Sequence, residues 1–317
     1  MAWIVGIDEA GYGPNLGPFV MTAVMCRVPD DCGLVCLWEH LAAVARRCRD
    51  GRDDRLVVDD SKAVYASGRG LIGLERGVHV VLPEAPLHLA ALVDQLCPVD
   101  HADLAAEVWY SGTTPLPTAA TADDLHRLRE RYHTHCGEQA VTPWHVRSVV
   151  VCPGRFNALT ARANSKAAVV AEGFSRLLRW VYDQAGPGET VNLMSDKQGG
   201  RNAYARLIED ALPAGFVWVV EESAARSSYR VQTPDRRLEL AFQPRADAES
   251  FCVAMASMVS KYVRELFMAE FNGFWQRHVP ELKPTAGYPV DARRFLEAIR
   301  PVLDQLQVPV ETIWRAR

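Results

Sequence analysis

Short hydrophobic runs, each bounded by glycine, proline or carboxylate residues, recur along the chain and predict β-strands. They cover residues 3–7, 19–26, 146–151, 190–195, 216–220 and 238–242. The glycine- and proline-rich segment 11–18 lies between the first two runs and predicts a turn.

Hydrophobic residues repeated at helical spacing predict helices between these strands. These helices cover residues 34–48, 162–182 and 202–211. Residues 245–250 resemble a helix N-terminus with acidic capping residues, and the helix behind them is predicted to run to about residue 271. Strands and helices in this order indicate an α/β protein.

The composition is that of an ordinary globular protein and excludes a disordered chain or a coiled coil. The 317 residues include 35 Lys and Arg against 39 Asp and Glu, a formal net charge of −4, and 49% are hydrophobic. No hydrophobic run approaches the ~20 residues that span a bilayer, so no membrane association is expected. The N-terminus lacks the basic segment and long apolar stretch of a secretion signal, so we expect a cytoplasmic protein with its eight cysteines reduced.

Four carboxylates lie at positions where α/β proteins bind their ligands. Asp8, Glu9 and Asp196 lie at the C-terminal edges of predicted strands, and Asp247 lies at the mouth of a predicted helix. Taken singly, an Asp at such a position is more often a turn or capping residue. Carboxylates crowded within ~4 Å repel one another, however, so a cluster of four is stable chiefly around divalent cations.

Oxygen ligands of this kind favour magnesium or manganese over zinc. Two such ions ~3.5–4 Å apart can activate a water molecule and stabilise the leaving oxygen of a phosphodiester. If the four carboxylates converge, they therefore predict a metal site suited to phosphodiester hydrolysis.

Several segments resemble, in the same order along the chain, the motifs of the type 2 ribonuclease H family, ribonuclease HII and its relatives. Residues 5–14 (VGIDEAGYGP) and 16–18 (LGP) resemble the opening signature of that family. The other matching segments are Asp60-Ser61-Lys62, Asn164 with the helix after it, Arg245-Ala246-Asp247, residues 254–264 (AMASMVSKYVR) and residues 287–291 (GYPVD).

The resemblance implies a ribonuclease H-like α/β core, with a mixed β-sheet flanked by helices. Its coverage divides the chain into a catalytic core in two parts, an inserted α+β segment and a helical C-terminal region that completes the core. The boundaries are 1–74 for the first part of the core, 75–145 for the insertion, 146–248 for the second part and 249–317 for the helical region. Prolines scattered through 75–145 distinguish it from its flanks and agree with a peripheral insertion.

The resemblance also implies a metal-dependent endoribonuclease with Mg²⁺ or Mn²⁺ as its cofactor. Such an enzyme cleaves RNA in RNA/DNA hybrids, or duplex DNA at ribonucleotides, and leaves 3′-hydroxyl and 5′-phosphate ends. The implied catalytic and metal-binding residues are Asp8, Glu9, Asp196 and Asp247. The implied substrate-binding residues are Gly11, Tyr12, Gly13, Ser61, Lys62, Asn164, Lys261 and Tyr288.

Nucleic acid is thus the expected partner, and no protein partner is implied. The net charge of −4 does not exclude nucleic acid, because affinity depends on the local field and on a few phosphate contacts.

The glycine turn departs from the family's pattern. The family's Gly-Arg-Gly turn, whose backbone contacts a ribose 2′-hydroxyl, is Gly11-Tyr12-Gly13 here, so the backbone contact is expected to persist without the guanidinium. One alternative is therefore a ribonuclease H-fold nuclease for another structured nucleic acid. A second alternative, a non-catalytic hybrid-binding protein, is disfavoured because a binder has no need to gather negative charge against phosphates.

Overall fold

A seven-stranded mixed β-sheet forms the centre of the computed structural model, which describes residues 1–30, 37–51, 53–66 and 70–316. The strands of the chain are β1 (Ala2–Ala10), β2 (Phe19–Val28), β3 (Ala45–Arg46), β4 (Leu56–Val57), β5 (Trp144–Val151), β6 (Thr190–Asp196), β7 (Phe216–Glu222), β8 (Ser227–Gln232) and β9 (Arg237–Gln243). The main sheet has the order β5-β2-β1-β6-β9-β8-β7, and β3 pairs with β4 in a separate two-stranded sheet. In the main sheet β1 is parallel to β6 and antiparallel to β2, so the predicted mixed sheet is confirmed.

Helices cover both faces of this sheet. They are α1 (Leu37–His40), α2 (Ser61–Val64), α3 (Leu71–Val81), α4 (Leu89–Leu96), α5 (His101–Ala105), α6 (Ala122–Glu138), α7 (Pro153–Ala163), α8 (Ala167–Gln184), α9 (Ala205–Ala211), α10 (Phe251–His278) and α11 (Pro289–Leu306). Among the residues that the structure describes, no helix combines the length and the apolar character needed to cross a bilayer.

Alternating side chains of β1 enter two separate hydrophobic cores. Ala2 and Ile4 belong to the core that contains α3, α6 and α10, whereas Trp3, Val5 and Ile7 belong to the core that contains α7, α8 and α9. Because both faces of β1 are buried, its C-terminal end is the part of the strand that carries polar residues.

Glycine at position 6 allows α10 to lie directly against β1. A Cβ atom at this position would lie 2.1 Å from both the backbone carbon of Cys252 and the backbone nitrogen of Val253. Only glycine can therefore occupy this position at the observed separation. The contact brings the N-terminal end of α10, and the 3₁₀ turn Ala246–Ala248 before it, close to the strand that carries Asp8.

Segment 75–145 packs against α10 through two carboxylates that accept several hydrogen bonds each. Glu75 of α3 is fully buried and accepts from the backbone N–H groups of residues 118–120 and from the hydroxyl of Tyr262, at 2.6–2.8 Å. Glu270 of α10 accepts from the N–H groups of Ser111 and Gly112, at 2.8 and 3.2 Å. Within the described residues the segment is mainly helical, and its β structure is confined to an isolated bridge between His88 and Pro115 and to the start of β5.

Two predicted helices differ from the observed elements. Residues 34–36 lie outside the described residues, and the described remainder of the predicted helix 34–48 consists of α1, a turn and β3. Parallel pairing of Ala45 with Leu56 replaces the helix there. The predicted helix 162–182 is divided between α7 and α8, because Asn164 has a left-handed φ of 49° and ends α7.

Candidate active site

The strand ends bring three of the predicted catalytic residues to one edge of the sheet. Ile7 of β1 pairs with Ser195 of β6 in parallel register. The next residues, Asp8 and Asp196, therefore lie side by side on neighbouring strands. Glu9 follows Asp8 directly and projects toward the other face of the sheet. The C-terminal ends of two parallel strands thus carry the carboxylates, as expected for a ligand site in an α/β sheet.

Asp247 reaches the same edge from the 3₁₀ turn that precedes α10. The Asp196 carboxylate accepts a hydrogen bond of 3.3 Å from the backbone N–H of Ala246, which joins this turn to the end of β6. Asp247 accepts from the N–H of Ala248 at 3.0 Å, so one of its own oxygens helps to fix the turn.

Burial and repulsion between carboxylates raise the pKa values of Asp8, Glu9 and Asp247. The pKa of Asp8 is raised well above its usual value by burial and by Glu9, against a hydrogen bond from Ser257 that lowers it. Burial and Asp196 raise the pKa of Glu9 to about 7, although Lys62 opposes the rise. Burial, with added charge from Asp60 and Asp196, raises the pKa of Asp247.

Asp60 therefore adds negative charge to the site, and the sequence motif had not assigned it that role. Its carboxylate also caps α2 by accepting from the backbone N–H of Lys62 at 3.0 Å. Among the described residues, no ion pair joins a basic side chain to Asp8, Glu9, Asp196 or Asp247.

The donor chemistry of this group fits a hard divalent cation, because carboxylates that raise one another's pKa without a basic partner are stabilised by added positive charge. In their described rotamers, however, no three His, Cys, Asp or Glu side chains of the described chain are arranged closely enough to hold a metal ion. A cation held by three of these carboxylates at once would therefore require movement of their side chains.

A network of buried hydroxyl groups holds the C-terminal end of β1 in place. The Ser260 hydroxyl of α10 lies 3.0 Å from the Asp8 carbonyl oxygen and 2.8 Å from the Thr22 hydroxyl. Thr22 in turn contacts the Ser148 hydroxyl of β5 at 2.8 Å. Four elements around the site are thereby cross-linked under the carboxylates, which restricts movement of the Asp8 backbone.

The glycine turn after β1 is held by a buried arginine from the C-terminal part of the chain. Arg315 is fully buried and donates to the carbonyl oxygens of Gly11 and Gly17. The Arg315 guanidinium also lies over the Phe156 ring, 4.8 Å from its centroid. Gly11 has a φ of 85°, a conformation that glycine adopts without strain.

Tyr288 lies beside this turn and is half exposed. A Cβ atom built on Gly13 would lie 4.0 Å from Cε1 of Tyr288. The carbonyl oxygen of Gly287 accepts from the N–H of Asn15 at 2.7 Å, which holds the two loops together. Gly11, Tyr12, Gly13 and Tyr288 therefore form one surface next to the carboxylates.

The remaining predicted substrate-binding residues occupy different surroundings. Lys62 is exposed and close enough to Glu9 to lower its pKa, whereas Ser61 is buried with its hydroxyl 3.0 Å from that of Ser257. Lys261 forms an ion pair of 2.6 Å with Glu265. Asn164 is exposed at the C-terminal end of α7. The roles assigned to these residues stay predictions.

Glu9 makes the stability of the metal-free protein depend on pH. Its pKa of about 7 exceeds the usual value of 4.5, so the folded protein retains a proton that the unfolded chain releases in this interval. The contribution of Glu9 to the free energy of unfolding is fully present below about pH 4.5 and is lost as the pH rises through about 7. In chelator, wild-type protein is expected to lose up to about 3 kcal/mol more between pH 5 and 8 than the Glu9→Gln protein.

Urea unfolding at the two pH values measures this difference. The matched control is Glu297→Gln, which changes an exposed carboxylate of α11 and should preserve the wild-type loss. Equal losses in wild type and Glu9→Gln would show that Glu9 is not buried among the other carboxylates.

The chain is similar to solved structures of ribonucleases HII, H2 and HIII. The chain is similar to ribonuclease HII of Archaeoglobus fulgidus in its complex with PCNA, at 14% identity and a TM-score of 0.44, over 99% of this chain and 94% of that one. It is similar to ribonuclease H2 of Pyrococcus horikoshii OT3 at 15% identity and a TM-score of 0.44, over 98% and 92% of the two chains.

It is also similar to Bst ribonuclease HIII in complex with Mn²⁺, at 14% identity and a TM-score of 0.44, over 99% of this chain and 66% of that one. No family model matches the chain, and no curated protein matches it. At these identities the similarity concerns the fold alone.

Proposed function

We propose that this protein is a metal-dependent endoribonuclease that cleaves RNA in RNA/DNA hybrids or at ribonucleotides in duplex DNA. The observation that carries the proposal is the grouping of Asp8, Glu9 and Asp196 at two adjacent strand ends with Asp247 beside them. The raised pKa values of Asp8, Glu9 and Asp247 support a concentration of carboxyl groups at one point. A site of this kind is suited to a cation that in turn faces a phosphate.

Asp8, Glu9, Asp196 and Asp247 would hold Mg²⁺ or Mn²⁺. When bound, the metal supplies charge stabilisation at the phosphate and lowers the pKa of a coordinated water. The Ser260 hydroxyl fixes the Asp8 backbone, and Ser257 donates to its carboxylate, so both serines orient this ligand.

Substrate contacts in this proposal come from the surface formed by the glycine turn and Tyr288. Arg315 donates to carbonyl oxygens of the glycine turn and so holds the backbone of the turn in one conformation. The half-exposed Tyr288 ring is available for stacking against a sugar. Exposed Lys62, which is close enough to Glu9 to lower its pKa, would contact a phosphate.

Cleavage of three duplexes tests the function directly. The substrates are a long RNA/DNA hybrid, a DNA duplex with one embedded ribonucleotide and an all-DNA duplex, each with Mg²⁺ or Mn²⁺. We expect cleavage of at least one ribonucleotide-containing duplex, with 3′-hydroxyl and 5′-phosphate products, and none of the all-DNA duplex. Equal cleavage of all three would favour a different nuclease, and cleavage of none would favour a binding protein.

A further inference from the structure

A cavity of about 200 Å³ opens beside Glu9, at the end of α8. Its walls are formed by Glu9, Tyr12, two small aliphatic residues of α8 (Ala167 and Val170) and the loop 198–201. Glu9 and Asp8 project to opposite faces of β1. The cavity therefore lies next to the four carboxylates but is distinct from the space between Asp8 and Asp196.

Gln198 lines this cavity, and its buried side-chain amide has no partner. The residue is only 7% exposed, and neither Oε1 nor Nε2 has a hydrogen-bond partner among the described residues. Its backbone is nevertheless well held, because its N–H donates to the Tyr204 hydroxyl and its carbonyl accepts from the N–H of Arg201, both at 3.0 Å. A buried amide left unpaired is costly, so the side chain points to a ligand that supplies both partners.

Arg201 provides positive charge on the same wall. Gly199 and Gly200 have φ values of 57° and 78°, as in a type I′ turn, and this tight turn leads the chain back from Gln198 to Arg201. Arg201 is half-buried beside the Tyr204 ring and forms no ion pair with a carboxylate of the described chain. Arg201 and Tyr12 both line the cavity, and the guanidinium opposes the rise in the pKa of Tyr12 that burial and Glu9 cause.

The N-terminal end of α8 adds to this positive field. The first helical residue, Ala167, lines the cavity, so the positive end of the helix dipole lies there. The N–H groups of Ala167 and Ala168 already donate to Ser165. The helix therefore contributes a positive electrostatic potential and not free hydrogen-bond donors at these two residues. Direct hydrogen bonds to a ligand would therefore come from Arg201 and Gln198.

We propose that this cavity binds the sugar and 5′-phosphate of a ribonucleotide that flanks the cleaved bond, with Arg201 on the phosphate and the Gln198 amide on a ribose hydroxyl. A hydroxyl both donates and accepts, which matches an amide whose two polar atoms are unpartnered. A sugar suits the site better than a base, because Ala167 and Val170 supply small aliphatic wall residues and the Tyr12 ring is packed edge-on against Phe19. The inference rests on the proposed function for its ribonucleotide ligand.

Titration of metal-free protein with mononucleotides tests the subsite without requiring cleavage. The probes are adenosine 5′-monophosphate, its 2′-deoxy analogue and cytidine 5′-monophosphate, and the measurement is the NMR shift of the Gly199 and Gly200 amide signals. Both ribonucleotides should bind alike, and the deoxy analogue about fivefold to tenfold more weakly. Arg201→Ala should weaken all three about tenfold or more, whereas Gln198→Met should abolish the preference for ribose.

Two controls separate binding from a structural effect. Arg206→Ala removes a charge from an 84% exposed side chain of α9 and should leave all titrations unchanged. Gln198→Met removes two unpartnered polar atoms, so its melting temperature should equal or exceed that of wild type. A lower melting temperature for Gln198→Met would instead assign the residue a structural role and overturn the proposal.

Three titration results would also overturn the proposal. They are absence of binding, binding unaffected by Arg201→Ala, and a preference between the two bases with none between ribose and deoxyribose. The result is distinguishable from that of the duplex assay. Nucleotide binding without duplex cleavage would support the subsite and contradict the proposed nuclease function. Duplex cleavage without nucleotide binding would support the nuclease function and contradict the subsite.

Discussion

Asp196→Asn is expected to reduce hydrolysis of RNA/DNA hybrid by at least about 1,000-fold while leaving hybrid binding largely intact. A bound metal contributes several kcal/mol of charge stabilisation in the transition state, and each 1.4 kcal/mol corresponds to a factor of ten in rate. Asparagine keeps the size of the side chain and an oxygen that can still accept from the N–H of Ala246. The loss should therefore come from the missing charge and not from unfolding.

Single-turnover cleavage and hybrid affinity, measured on the same preparation, test this expectation. The matched control is Asp210→Asn, which neutralises an exposed carboxylate of α9 paired with Arg206 and should leave the rate unchanged. A second readout follows from Asp196 being a cause of the raised pKa of Glu9, since the substitution should lower that pKa. Wild-type activity in the Asp196→Asn protein would remove Asp196 from the catalytic group.

Gly6→Ala is expected to destabilise the protein by more than about 3 kcal/mol, a large part of the ~5–15 kcal/mol that holds a typical domain folded. The added methyl group would lie 2.1 Å from backbone atoms of Cys252 and Val253. Neither atom belongs to a flexible side chain, so α10 as a whole would have to move away from β1. That movement would also displace Asp247 from Asp8 and Asp196.

Chemical unfolding measures the effect, with Gly137→Ala as the matched control. Gly137 lies in α6, and a Cβ atom there meets nothing within 4 Å, so alanine should stabilise the helix by up to about 1 kcal/mol. A Gly6→Ala protein as stable as wild type would mean that β1 and α10 are farther apart than described.

The elements that carry the candidate catalytic residues were predictable from local sequence patterns. The runs 3–7 and 190–195 are compact and apolar, and they end at carboxylates, so β1 and β6 could be placed with Asp8 and Asp196 at their ends. Strand β8 was missed because only Tyr229 and Val231 in it are buried hydrophobic residues, and its position depends on pairing with β7 and β9.

Residues that support the site through distant contacts could not be predicted. Gln198 looks like a polar loop residue in the sequence, and its burial follows from the fold around Tyr204 and Tyr229. Glu75 has no local signal either, because its partners in residues 118–120 and at Tyr262 are far away in the chain. Charge and hydrophobic spacing report on neighbours in sequence and carry no information on such contacts.

The division of the chain into a core and an insertion at 75–145 stays a prediction, but the packing limits what the boundary can mean. Val78, Val80 and Leu92 of this segment share one hydrophobic core with α10. Removing the segment would expose that side of α10, the helix whose N-terminal end positions Asp247. The segment therefore contributes to the stability of the helix behind the site, whatever its contact with substrate.

The hydrogen bonds from Arg315 to Gly11 and Gly17 also determine when the candidate active site can form during protein synthesis. The glycine turn is made about 300 residues before Arg315. Until that residue has left the ribosome, the carbonyl groups of the turn lack their buried donor, and the surface with Tyr288 is incomplete. The nascent chain can thus assemble the sheet and its carboxylates before it can hold the turn in place, so the site is completed only after Arg315 has been added.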